Sequence, residues 1–442
     1  MQGARKSLRQ LFFPICLETL CFMLAGMVDT LMLSSLGDEA VGAVGTANTY
    51  ISVFIMMFSI VSSGMIAVMT QYIGAGKPGV AYQARQFGIV FNGILGIVLS
   101  LVLFFGGKAI LEMIGIAKGL EGYAVTYIKI VGGSVFLNAL IPIFSYYVRA
   151  FGHTKQPMVA TVIANIVNLG LNALFLFVFK WGVAGVALAT VISRVVNLVI
   201  VVTYAVTLVK VNKTERIKSK ELVKQIVRVG LPSAAETALY NVAMTIMISF
   251  LNKMDKDGIN ASARSYTAQI TNFSYCVGAA LAQANAILTG WRIGAGDYDA
   301  CDKGTRKAAG VGILVAAAVE SLLALTAPLY MHIFTKNPEM VSLVTKLLWI
   351  DVALEIGRVT NLVYGQALKT SGDAIFPTIL GAIFMFLCTV GGTWLFGLQL
   401  ELLVVGAYIG LAADECCRAV GMFIRFKSGK WRTKSLIKRS QE

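Results

Sequence analysis

The chain is poor in most of what a soluble protein or an enzyme centre is built from. Charged residues make up only 14% of its 442 residues, where a soluble domain carries about 25%. Two histidines, His153 and His332, leave little for a histidine metal centre or a catalytic triad. The seven cysteines show no CxxC or Cys/His spacing, four of them (Cys16, Cys21, Cys276, Cys388) lie in apolar runs, and Cys416 and Cys417 are adjacent, a poor geometry for pairing. Free thiols, no metal and no cofactor are therefore expected. Nor is there room for a soluble domain, because the longest polar stretch is residues 209–228. A membrane-embedded enzyme would need a nucleophile, a metal cluster or a large catalytic loop, and the sequence offers none of these; the chain is read as a non-enzyme.

What the sequence does have is long apolar runs, 57% of it being hydrophobic. Residues 11–36 set the pattern. They are nearly all apolar and long enough for a helix to cross a hydrocarbon layer of about 30 Å, yet they enclose Pro14, Glu18 and Asp29. A carboxylate at such depth costs a few kcal/mol and calls for a partner, a water-filled cavity or a task. The basic segment before this run looks like the start of a signal peptide, but the run is too long, holds two carboxylates and shows no convincing cleavage site, so it is read as a retained span.

Twelve spans are expected, at roughly 11–36, 41–72, 86–111, 123–149, 157–179, 183–208, 229–252, 258–290, 308–334, 341–368, 376–398 and 403–426. The formal net charge of +15 would suggest nucleic acid in a soluble chain. Here its distribution points to orientation instead: with the N-terminus inside, 26 Lys and Arg fall on the inner side and six outside. Both termini are expected to face the cytoplasm, with no nucleic-acid partner. Six more lie within the spans: Lys129, Arg194, Arg264, Lys346, Arg358 and Arg418.

The spans form an internal repeat. Pro14-x-x-x-Glu18-Thr19 returns as Pro232-x-x-x-Glu236-Thr237, a shift of 218 residues. Ile73-Gly74-Ala75-Gly76 returns as Ile293-Gly294-Ala295-Gly296, and Gly152 with Pro157 returns as Gly372 with Pro377, both at a shift of 220. Six spans per half is an even number, so both halves enter from one side and the repeat is parallel, the architecture of rocking-bundle transporters. The Ile-Gly-Ala-Gly motif lacks the Lys-Ser/Thr of a phosphate loop and reads as a helix C-cap. Gly42, Gly45, Gly182 and Gly185 are read as points of close helix approach. The resulting division is an N-terminal lobe at 1–208, a cytoplasmic linker at 209–228 acting as a flexible tether, a C-terminal lobe at 229–426 and a basic tail at 427–442.

Two groups of polar residues stand out. Asn165, Asn168 and Asn172 in span five are three and four apart and share one helix face. With Thr190 of span six they could form an oxygen-rich shell around Asp29, a candidate proton or cation site. In the second half, Glu236, Tyr240, Tyr266, Gln269, Asn272, Glu355 and Arg358 are candidates for a polar–aromatic substrate cavity, since aromatics beside carboxylates suit organic cations. Glu355 with Arg358, and Asp414 with Arg418, are spaced to pair within their own helices.

Over residues 8–426 the chain resembles the multidrug and toxic compound extrusion (MATE) family. The residues that carry the likeness are Pro14, Val28-Asp29-Thr30 and Gly37; Gln71-Tyr72-Ile73-Gly74-Ala75-Gly76; Gly185–Thr190; Gly230-Leu231-Pro232; and Gly372-Asp373 before Pro377. The resemblance implies an all-α integral membrane fold of two six-helix lobes, a V-shaped central cavity, and export of small organic, cationic or amphiphilic compounds by H⁺ or Na⁺ antiport from a bacterial inner membrane, as a monomer. It also implies that Asp29, Asn168 and Thr190 match a coupling site. Asn172 stands where relatives have a second Asp, which favours H⁺ over Na⁺, and Tyr240 stands near a position where some relatives have a carboxylate. The alternative is a flippase for a lipid-linked or anionic substrate, suggested by Arg194, Arg264 and Arg358. The topology has a direct test: cysteines at Lys77 and Asp297 should both react with a membrane-impermeant maleimide only from the cytoplasmic side, and labelling of either in intact cells would overturn it.

Overall fold

The computed structural model describes residues 6–113, 115–212, 214–254 and 258–437. Arg5, Lys213, Lys256, Lys438 and Arg439 of the charge tally, and the end of the basic tail, lie outside the described residues. Nearly everything described is helical, as hydrocarbon requires: with no water to bond, each backbone N–H and C=O must be satisfied within its own segment. The helices are α1 (Leu8–Ser34), α2 (Asp38–Gly74), α3 (Pro78–Met113), α4 (Lys118–Ile130), α5 (Phe136–Ala150), α6 (Lys155–Ala173), α7 (Gly182–Thr207), α8 (Ser219–Met254), α9 (Ile259–Ala295), α10 (Tyr298–Tyr330), α11 (Pro338–Ser371), α12 (Ile375–Phe384) and α13 (Leu403–Lys427).

These supply the twelve expected spans in three ways. Eight helices are long and apolar enough to cross on those grounds alone; in two of them, Lys155–Val178 and Ile375–Gln399, a π-helical stretch extends α6 or α12. The fourth span is broken, α4 and α5 meeting at 41° across Gly132–Ser134. The last three, α9, α11 and α13, are long but too polar for that criterion. They carry Arg264, then Asp351, Glu355 and Arg358, then Asp414, Glu415 and Arg418.

Two compact units result, Met1–Gly230 and Leu231–Glu442, the division falling inside α8 just before Pro232. Each has its own apolar core. Phe58, Leu103, Leu111 and Ile128 anchor the first and Met247, Val344, Leu347 and Leu348 the second. Large apolar side chains also face outward (Phe22, Phe105, Leu314, Leu329), the pattern of a surface solvated by lipid.

The repeat is built into the turns. Gly76 and Gly296 close α2 and α9 at φ of 76° and 82°, and in both the next N–H reaches back five residues, Lys77 to Tyr72 and Asp297 to Arg292. Gly152 and Gly372 do the same for α5 and α11. The helix ends expected from Ile-Gly-Ala-Gly are therefore present. Other expectations are revised. Of the four glycines read as close approaches, only Gly185 is tight, a Cβ there falling 2.8 Å from Phe175 Cβ. Gly42 and Gly45 have room, and Gly182 is needed for its φ of 57°. The linker is docked rather than free: Gln83 and Ile217 exchange two hydrogen bonds, at 2.9 and 3.1 Å, and the Gly79 N–H meets Glu215 at 3.4 Å, all within the first unit.

The repeat also shows where the second half is strained. Lys180 and Gly182, at φ of 55° and 57°, precede α7; Glu401 and Leu403, at 54° and 52°, occupy the matching turn before α13. A leucine in the left-handed region costs about 1 kcal/mol or more. Leu403→Gly should therefore raise thermal stability by about 0.5–1 kcal/mol, after the entropy glycine loses on folding. A lower melting temperature of the purified variant would show that the turn is not strained.

Candidate functional sites

In the first unit α1 and α6 run parallel and are joined by a ladder of polar contacts. Thr154 donates to the Gln10 carbonyl at 3.4 Å, Thr161 to Glu18 at 3.3 Å, Asn165 to the Cys21 carbonyl at 3.1 Å and Asn172 to Asp29 Oδ1 at 2.8 Å. The partners are 143 or 144 residues apart at every rung, so the asparagine face read from the sequence is the face α6 turns to α1. At the top rung the buried Asn172 amide also donates to Asn168 Oδ1 at 3.1 Å. Its own Oδ1 is buried without a hydrogen-bond partner among the described residues.

Thr190 is placed differently from the shell drawn for it. Its hydroxyl donates to the Val186 carbonyl of its own helix at 2.9 Å, and it neighbours Tyr127, as does Asn48. Asp29, Asn168 and Asn172 are brought together, whereas Thr190 joins through Tyr127. Arg194 is the residue that sequence reasoning left out of this site. It lies close enough to interact electrostatically with both Asp29 and Tyr127. Its spacing four residues beyond Thr190 placed it on that helix face; Tyr127, in span four, carried no comparable signal.

Lower on the ladder, Glu18 forms an ion pair with Arg149 at 2.6 Å. In the second unit Glu236 pairs with Lys369 at 2.8 Å. Glu18 and Glu236 are the repeat-related glutamates of the Pro-x-x-x-Glu-Thr motif, and Arg149 and Lys369 are related by the shift of 220. Both halves thus answer the same half-buried carboxylate with a cation from the same repeat-related helix.

The second unit holds a cavity of about 510 Å³ between α8, α9, α11 and α13. Glu236, Tyr240, Asn272 and Arg358 of the sequence candidates line it. The other three do not. Glu355 is fully buried behind the wall, Tyr266 packs near Phe334, and Gln269 points outward. Further residues complete it, among them Asp351, Arg264, Tyr275, Tyr408, Lys369 and Glu415. The two helix-local pairs expected from spacing both form, but as one network. Arg358 bonds Glu355 and reaches Glu415 at 3.3 Å; Arg418 grips Asp414 at 2.8 and 2.9 Å and Glu415 at 2.9 Å. Asn361 donates to the remaining oxygen of Glu415, and Thr389 adds a further donor to Asp414 Oδ2. Such pairing is what lets five charges stand at this depth. Arg264, by contrast, reaches the cavity with no ion pair among the described residues.

Comparison with known proteins agrees with this architecture. The MatE family model matches twice, at residues 14–174 and 232–395, once in each half. The uncharacterized transporter YisQ of Bacillus subtilis is 31% identical, over 97% of this chain and 96% of its own. The probable multidrug resistance protein NorM of Thermotoga maritima is 24% identical over 99% and 95%. Among solved structures, an outward-facing multidrug resistance MATE family transporter of the MOP superfamily superposes with a TM-score of 0.88 at 20% identity, covering 99% of this chain and 97% of that one. A MOP superfamily transporter from Pyrococcus furiosus, described as having a binding pocket of reversed polarity, gives the same score and identity over 97% of both chains.

The repeated ion pair is open to a direct measurement. Glu18→Gln removes the carboxylate that pairs with Arg149 and should cost about 3 kcal/mol of stability. Glu236→Gln should do the same to Lys369. Glu18→Gln combined with Arg149→Met should recover most of the loss. Equal melting temperatures for wild type and both single variants would show that these pairs contribute nothing.

Proposed function

Because this chain belongs to the MatE family of membrane transporters, we propose that it is a secondary antiporter. It exports small organic, cationic or amphiphilic compounds by alternating access and couples export to H⁺ entry, with Asp29 as the coupling group of the first unit. The proposed setting is a bacterial cell membrane with both termini in the cytoplasm, and one chain suffices, since each site is complete within it.

The observation that carries the choice of ion is the company Asp29 keeps. It is one carboxylate among neutral oxygens, held by Asn172, with the Arg194 guanidinium nearby. One negative charge next to a cation is a weak trap for Na⁺, which seeks several oxygen ligands carrying net negative charge. A proton needs no such cage. On protonation Asp29 loses its attraction for Arg194 and its strongest acceptor for the Asn172 amide, so the α1–α6 seam changes its bonding at that rung. In the second unit the cavity lining carries three acids (Glu236, Asp351, Glu415) and four cations (Arg264, Arg358, Lys369, Arg418), two of which are paired with Glu355 and Asp414 behind the wall. Three tyrosines, Tyr240, Tyr275 and Tyr408, add aromatic faces for an organic cation.

One feature favours a second reading, a flippase or exporter of an anionic substrate. Arg264 enters the cavity without an ion pair among the described residues, and a half-buried guanidinium is suited to a phosphate or carboxylate. The two readings separate on Arg264→Gln, which should leave cation export intact and abolish anion export.

Transport into inverted vesicles, with pH and Na⁺ gradients imposed separately, tests the main reading. Wild type should respond to the pH gradient alone. Asp29→Asn, nearly isosteric, should insert and still bind substrate but lose gradient-driven export. Asn172→Asp should introduce Na⁺ dependence. Export by Asp29→Asn at the wild-type rate would refute the assignment.

A further inference from the structure

A second cavity, of about 410 Å³, lies in the first unit at the start of α1 and α6, lined by Lys6, Arg9, Gln10, Phe13, Pro14 and Lys155. Three of these six residues are cationic and none is acidic. Neither Lys6, Arg9 nor Lys155 has an ion pair among the described residues, and the nearest carboxylate along α1, Glu18, is committed to Arg149. The Lys6 ammonium is held in place by the Gly152 carbonyl at 2.6 Å. Burial and the neighbouring Lys155 charge lower its pKa, and burial and Lys6 likewise lower that of His153. This is positive charge crowded together without its counter-ion.

The fold does not require that charge. At the positions related by the repeat, Arg9 is answered by Val227 and Lys155 by Ile375, while Lys6 is answered by Lys224 and Pro14 by Pro232. The second half therefore keeps the helix geometry without the cluster.

The remaining wall identifies the class of occupant. Phe13 is 66% exposed, and it begins a stripe of outward apolar residues on one face of α1: Phe13, Leu17, Leu24 and Leu31. From Phe13 to Leu24 the helix rises about 16 Å, close to the depth of one leaflet and so of one acyl chain. The cavity wall is nearly all apolar, formed by the stems of these side chains, and a cradle of cationic ends beside an apolar cleft and track is matched by a molecule with a phosphate at one end and a hydrocarbon tail at the other. A free anion would use the cradle only.

From this continuity we propose that Lys6, Arg9 and Lys155 hold the phosphate of an anionic phospholipid whose acyl chain lies along Phe13 and Leu17. Each cation near an anionic headgroup contributes on the order of 1 kcal/mol, so the cluster provides selectivity over a zwitterionic lipid, whose own ammonium offsets the phosphate charge. The lipid would brace the entry to α1, the helix that carries Asp29.

Native mass spectrometry of the full-length protein in detergent, titrated with phosphatidylglycerol or phosphatidylcholine, reads this directly. Wild type should bind phosphatidylglycerol preferentially, and a K6Q/R9Q/K155Q variant should lose roughly tenfold or more of that affinity. The charge-preserving K6R/R9K/K155R variant should keep most of it, which separates lost charge from lost folding. A K427Q/K430Q/R432Q control, with the same change in net charge, should match wild type. Unchanged affinity in the first variant, or an equal loss in the control, would overturn the site. Displacement of phosphatidylglycerol by inorganic phosphate would overturn the lipid in favour of a free anion. Because binding is measured without transport, the outcome is independent of whether Asp29 couples export to protons.

Discussion

An ion in hydrocarbon must find its counter-charge within the protein, and most of this molecule's interior follows from that requirement. Glu18 and Glu236 sit one turn past a proline, and each is met by a cation from the repeat-related helix. Asp414, Glu415, Glu355, Arg358 and Arg418 share two guanidinium groups so fully that Glu415 is bonded by three partners at once. These pairs cost desolvation on both sides and add little net stability. Their consequence is positional: a helix whose charge is paired cannot rotate or slide without breaking the pair. The pairing therefore fixes which faces of α11 and α13 meet, and so the shape of the cavity between them.

Against that background the incompletely paired groups are informative. Asp29 has a neutral amide as its hydrogen-bond partner, and Arg264 enters the cavity without an acid. Glu320 and Asp351 are likewise buried without an ion pair among the described residues. The Lys6–Arg9–Lys155 cluster belongs to the same category at the membrane boundary.

The two halves use one plan with different chemistry. Helix ends, glycine caps, π-helical stretches and the glutamate–cation pair all recur at shifts of 218–221 residues. The polar interior does not recur. The first half has a ladder of neutral hydrogen bonds ending on one carboxylate; the second has an ionic network around a cavity. Duplication explains the shared frame, and the halves differ in how they line it.

Much of this was legible in the sequence. Apolar runs of sufficient length, interrupted by basic loops, determine the span count, and motifs at a constant shift determine the parallel repeat, because both follow from local composition and an even number of crossings. Asn165, Asn168 and Asn172 announced a polar face, since helical periodicity alone aligns them. The tertiary structure decided which helix that face meets. It brought Arg194 and Tyr127 beside Asp29 from spans four and six, and it joined two helix-local pairs into one network through Glu415. It also removed Tyr266, Gln269 and Glu355 from the cavity wall and docked a linker that composition had suggested was free. Spacing along one helix fixes direction but not depth or neighbour; those depend on how helices pack, and packing is set by contacts between residues far apart in the chain, 57 positions for Arg358 and Glu415 and 143 for Asp29 and Asn172.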